Sequence, residues 1–280
     1  MQYKKLFYPV AGGDELKERL YGALSIVKYF KCHLEVMKST PGIKGYNHLM
    51  MPENIVDDID AAIVTKYAEE NKNFKNTIEE IAKEIDVAIT DKKLEEKGSI
   101  ELLYKSGSRS VMAAQESKYA DCVIIAAPPN GNSTATFEAV VMHSGKPVLM
   151  FPRVMRSFST KSVLIGWDNS PEVSKALTLS IPILQEAERV HIVTAEQYVP
   201  NLKELERLQD YLRSYDIETT TGMITTTLFA GEAILDAAKK GNFDLIVAGA
   251  YRPNGLKELM FGALTKYLLT HTHIPVFMAN

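Results

Sequence analysis

Two short stretches in the second half of this 280-residue chain hold residue types that could bind a small polar ligand. The first, Gly166-Trp167-Asp168-Asn169-Ser170, places a carboxylate and small polar groups between a strand-like apolar run and a helix opened by Pro171. Such groups can hydrogen-bond a base or a ribose; the plainer alternative is that Asp168 or Ser170 caps the helix. The second is Ala248-Gly249-Ala250-Tyr251-Arg252-Pro253-Asn254-Gly255, followed by Gly262-Ala263-Leu264-Thr265 at a helix start. A glycine at a strand end lets backbone N–H groups approach an anion. A helix start adds unpaired N–H donors and the positive end of the dipole, so phosphate suits this chemistry.

These loops need elements to hold them, and the hydrophobic pattern supplies the same series twice. In the first half, apolar runs at 6–10, 33–37, 101–105, 121–127 and 147–151 read as strands. Between them, three- and four-residue apolar spacing predicts helices at 15–30, over one or two long segments of the Lys/Glu-rich stretch 53–97, from Ser108 to Tyr119, and at 137–143. Ser108 is a candidate N-cap. The second half predicts strands at 163–167, 190–195, 224–229, 244–248 and 275–279, with helices at 171–186, 201–215, 232–240 and 262–271.

The halves also share wording. Asp121-Cys-Val-Ile-Ile-Ala-Ala127 aligns with Asp244-Leu-Ile-Val-Ala-Gly-Ala250, and Lys146-Pro-Val-Leu-Met150 with Ile274-Pro-Val-Phe-Met278. This is an internal duplication, with expected domains at 1–152 and 161–280 and a linker over Arg153 to Thr160. Strands alternating with helices imply an α/β fold: two tandem doubly wound parallel-sheet sandwiches, whose ligands bind beyond the carboxyl ends of the strands. The closing strands, Pro147 to Phe151 and Pro275 to Ala279, are expected to join the halves edge to edge.

Residues 244–280 resemble the carboxyl-terminal signature of the universal stress protein family, whose nucleotide-binding members carry G-x-x-G-x9-G-[ST]. Gly249 and Gly262 fall on its first and third glycines, while Arg252 stands at the middle glycine and Ala263 at the hydroxyl position. The resemblance spans nearly the whole chain as a tandem type and implies the adenine nucleotide alpha hydrolase-like fold. It implies ATP or another adenine nucleotide in the second domain, with magnesium as a companion of the nucleotide. The adenosine part would lie by Trp167, Asp168, Asn169 and Thr194, and the phosphates over Gly249, Ala250, Arg252, Gly262, Ala263, Leu264 and Thr265. Arg252 would either crowd the phosphates or offer them a guanidinium. Two functions therefore stay open: a nucleotide-binding stress-response sensor, with slow ATP hydrolysis at most, or a scaffold for another small ligand or for proteins. In the first domain, Ala127-Pro128-Pro129-Asn130-Gly131 lacks the motif glycines and Val10-Ala11-Gly12 lacks the acidic residue, so no family-type nucleotide site is expected there.

Composition limits the remainder. A formal net charge of −3 and a pI near 6.1 give no global attraction to nucleic acid or anionic lipid, and no apolar run reaches membrane-spanning length, so a cytoplasmic protein with small-molecule and protein partners is expected, with homodimer formation left open. Cys32 and Cys122 sit in or beside apolar runs and read as buried thiols, not a disulfide or metal pair. No G-x-S-x-G, H-E-x-x-H or P-loop lysine signature occurs. His143, His271 and His273 lie at helix carboxyl ends, where a cation is favourable.

Overall fold

The computed structural model describes residues 3–40, 53–195, 202–224, 230–250 and 263–280, with backbone alone at 53–58, 60, 202, 230 and 263–266. The first half runs β1 (Lys5–Val10), α1 (Leu16–Phe30), β2 (His33–Thr40), α2 (Glu53–Ile85), β3 (Ala88–Ile89), β4 (Ser99–Ser106), α3 (Arg109–Glu116), β5 (Cys122–Ala126), α4 (Ala135–His143) and β6 (Val148–Phe151). The second runs β7 (Ser162–Gly166), α5 (Pro171–Leu184), β8 (Arg189–Thr194), α6 (Leu202–Arg213), β9 (Thr219–Met223), α7 (Ala230–Lys240), β10 (Leu245–Gly249), α8 (Ala263–His271) and β11 (Val276–Ala279).

The eleven strands among the described residues form one sheet in the order β3-β4-β2-β1-β5-β6-β11-β10-β7-β8-β9. Leaving aside the short edge strand β3, each half repeats one strand order, outward in opposite directions from the centre. Every described pairing is parallel except the central one, where β6 and β11 run antiparallel with Phe277 opposite Leu149. Parallel neighbours need crossover helices, and these cover both faces. Side chains alternate accordingly. Leu6, Tyr8, Leu149, Phe151, Ile165, Val247 and Phe277 pack in one apolar layer with residues of α1, α2, α5 and α6. Phe7, Val123, Met150, Leu164, Ile246 and Met278 pack in the other with residues of α3, α4, α7 and α8. Burying each large apolar side chain contributes about 1.5–3 kcal/mol.

The structure corrects three local expectations. The charged stretch 53–97 does not stay helical: α2 ends at Ile85, Asp86 takes a left-handed conformation (φ 62°), and β3 follows. The third strand of the second half is Thr219–Met223, upstream of the more apolar 224–229. Ile224 N–H still donates to the Thr194 carbonyl, but residues 225–229 lie outside the described residues. Ser108 occupies the N-cap position of α3 without capping it, its hydroxyl meeting that of Ser110 at 3.0 Å.

Both cysteines are buried and unbonded to each other. Burial pushes the Cys32 thiol up to about 12 and raises that of Cys122 as well. Thiolate is the reactive form. The native chain at pH 8 therefore resists iodoacetamide, whereas the urea-unfolded chain takes up two adducts by mass spectrometry; rapid native labelling of either cysteine would contradict this burial.

Candidate functional site

In the second half, β8, β7 and β10 lie side by side and parallel, so their carboxyl ends open at one edge of the sheet. Trp167, Asp168 and Asn169 follow β7, Thr194 ends β8, and Gly249 and Ala250 end β10. The Trp167 N–H donates to the Val193 carbonyl at 2.8 Å, which continues the β7–β8 ladder and sets Trp167 beside Thr194. Asn169 turns the chain with a left-handed φ of 60°, and Ser170 then starts α5.

The local chemistry of this turn is a two-step cap. The Ser170 hydroxyl accepts from Val173 N–H at 3.2 Å, satisfying a first-turn donor of α5. Asp168 Oδ1 in turn accepts from the Ser170 hydroxyl at 2.5 Å and from its N–H at 3.1 Å. The helix-capping alternative is thus realised here, and at least one carboxylate oxygen serves it.

Gly249 also has a packing reason to be glycine. A Cβ there would come 3.0 Å from the Val173 nitrogen and 3.1 Å from Glu172 Cβ, because the first turn of α5 rests on the end of β10. Ala250 is buried, with its N–H donating to the Ala279 carbonyl at 3.0 Å. Thr194 differs from these. It is 1% exposed, and its hydroxyl finds no hydrogen-bond partner among the described residues. A buried hydroxyl left unpaired costs about 1–3 kcal/mol.

Arg252 and Gly262 lie outside the described residues, as do the side chains of Ala263, Leu264 and Thr265, whose backbone forms the first turn of α8. Among the described residues, no three His, Cys, Asp or Glu side chains gather as a metal site. His271 ends α8 as the spacing implied, its ring stacked on Tyr267 at 4.2 Å.

The matching end of the first half's sheet holds a group that the sequence reading did not single out: Tyr8, Arg19, Arg109 and Arg153 around one cleft. Two signals were present. Arg19 interrupts the apolar stripe of α1 between Leu16 and Ala23, and Arg109 puts a cation at the first residue of α3, where the helix dipole favours an acid.

A mixed, mostly parallel α/β sheet with helices on both faces, repeating one strand order, is the fold of the universal stress proteins, the adenine nucleotide alpha hydrolase-like fold. Residues 160–280 match the model of the Universal stress protein family. Among solved structures, a universal stress protein from Archaeoglobus fulgidus superposes with a TM-score of 0.70 at 18% identity, over 100% of this chain and 99% of that one. A functionally unknown protein from Pseudomonas aeruginosa superposes with a TM-score of 0.56 at 14% identity, over 98% of this chain and 92% of that one. No curated protein matches the sequence.

Proposed function

We propose that the chain is a tandem universal stress protein, acting in the cytoplasm as a stress-response sensor or regulator whose second domain binds an adenine nucleotide. The buried hydroxyl of Thr194, unpartnered among the described residues, carries this reading. It lies at the carboxyl end of β8, beside Trp167, within the segment that matches the family. A base or ribose supplies the hydrogen bond this hydroxyl lacks, and the indole offers an apolar face. The phosphates then face the first turn of α8. Magnesium would arrive on the phosphate oxygens, since no described carboxylate cluster is built for it.

A second reading has its own support. Asp168 is engaged in capping, Gly249 is fixed by contact with α5, and the Ala250 N–H closes a ladder. Together with Arg252 and Ala263 in the family motif, these favour a degenerate crevice on a protein that scaffolds other proteins or holds another ligand.

Calorimetric titration with ATP, ADP, AMP and cyclic AMP separates the two. The nucleotide reading expects saturable heat with at least one of them. Thr194→Val should leave the ligand-free chain as stable as before, or about 1 kcal/mol more stable by thermal unfolding, because an unpaired buried hydroxyl is removed. The same variant should bind nucleotide about fivefold or more weakly, one hydrogen bond being worth about 1 kcal/mol. No heat at millimolar ligand would leave the scaffold reading.

A further inference from the structure

We infer that the first half carries an oxyanion site of its own, made by side chains at the carboxyl ends of β1 and β5 and sized for one phosphate or sulfate group. It is independent of the nucleotide reading, which concerns the other half.

The site begins with a buried charge. Arg19 is 3% exposed, and its Nη groups donate to the carbonyls of Ala11 at 2.9 Å and of Gly12 and Asp14 at 3.1 Å, tying down the loop after β1. Its Nε and the Tyr8 hydroxyl are both buried and face each other, and neither makes a further hydrogen bond among the described residues. Arg109 reaches the same cleft from α3. Its Nε donates to the Thr136 hydroxyl at 3.0 Å, and its terminal nitrogens make no hydrogen bond among the described residues.

Neither Arg19 nor Arg109 has a carboxylate within ion-pair distance among the described residues. Glu15, the nearby acid, is paired with Arg153 at the rim. Burial, and next the charge of Arg19, pull Arg109 below the usual arginine range; burial does the same to Arg19. A buried guanidinium such as that of Arg19 is costly without a counter-charge, and a bound oxyanion supplies both that charge and acceptors for the terminal nitrogens of the half-buried Arg109.

The cavity is about 50 Å3, room for a few waters at the minimum of about 10–15 Å3 each and hence for a tetrahedral oxyanion. Pro128 and Pro129 line it without backbone donors, so on that wall recognition falls to side chains. The shared chemistry is a dianionic tetrahedral group, either free or at the end of a small phosphomonoester.

The test titrates the full chain calorimetrically with inorganic phosphate, sulfate and glycerol 3-phosphate at constant ionic strength. The expected result is saturable binding that equimolar chloride does not reproduce and that added ATP does not displace. Tighter binding of glycerol 3-phosphate than of phosphate identifies a phosphomonoester as the occupant; binding of the free anions alone identifies the ion. Arg109→Gln should weaken binding about tenfold or more, the loss of a charge-assisted hydrogen bond. Tyr8→Phe should weaken it severalfold with an unchanged circular dichroism spectrum, and decides the matter if R109Q does not fold. No saturable heat into tens of millimolar phosphate, displacement by ATP, or folded R109Q and Y8F variants that bind like the parent would each overturn the site.

Discussion

Phe151→Ala lowers the unfolding free energy by about 3–5 kcal/mol, measured by urea unfolding at 25 °C. Phe151 is fully buried at the end of β6. Its ring meets Tyr8 edge-on at 5.8 Å and packs so closely on α1 that a Cβ at Gly22 would lie 3.0 Å from it. A core this well fixed cannot collapse fully onto the space that the ring leaves, so the loss includes a cavity as well as a transfer cost. Phe151→Leu keeps most of the volume and should lose about 1.5 kcal/mol or less. Equal losses for the two variants would mean that packing does not set the stability here.

The second large effect is at Gly131, where two independent costs add. Its φ is 67°, a conformation that L side chains rarely adopt, and a Cβ would come 2.2 Å from the Thr270 hydroxyl oxygen and 2.6 Å from the Thr270 Cα. Gly131 ends the 3-10 turn Pro129–Gly131 of the first half, and Thr270 belongs to α8 of the second, so the clash is between halves. Gly131→Val should cost about 3 kcal/mol in thermal or urea unfolding. Adding Thr270→Ala removes the clash with the hydroxyl but leaves both the clash with the main chain of α8 and the strain at φ 67°, so it should recover only part of the loss. Complete recovery would assign the whole cost to the threonine side chain.

Most of the fold was legible because buried parallel strands announce themselves as apolar runs; β1, β5, β7 and β10 all do so. The structure departs from the sequence pattern where that signal fails. β9 is an outer strand of sequence Thr-Thr-Thr-Gly-Met with no fully buried residue, so its composition reads as a loop and the apolar stretch after it draws the assignment downstream. β3 is two residues long, set among charged neighbours, and its pairing with β4 is invisible to local periodicity.

At the candidate site, sequence identified the loops but not what each residue does. Gly249 reads as a phosphate-approach glycine and proves to touch the first turn of α5, a packing demand that only the crossing of helix and strand reveals. The missing motif glycines of the first half speak to backbone recognition and not to side chains. Arg19, Arg109 and Arg153 come from well-separated parts of the chain, and only the adjacency of β1 and β5 brings them to one cleft.

The antiparallel contact between β6 and β11 also has a consequence for assembly. Strand edges at this position are open to any complementary partner, yet here each satisfies the other within one polypeptide. Ten residues, 152–161, tether β6 to β7, so the two edges meet at an effective concentration set by chain length and not by how much protein is present. Dilution therefore leaves this junction intact.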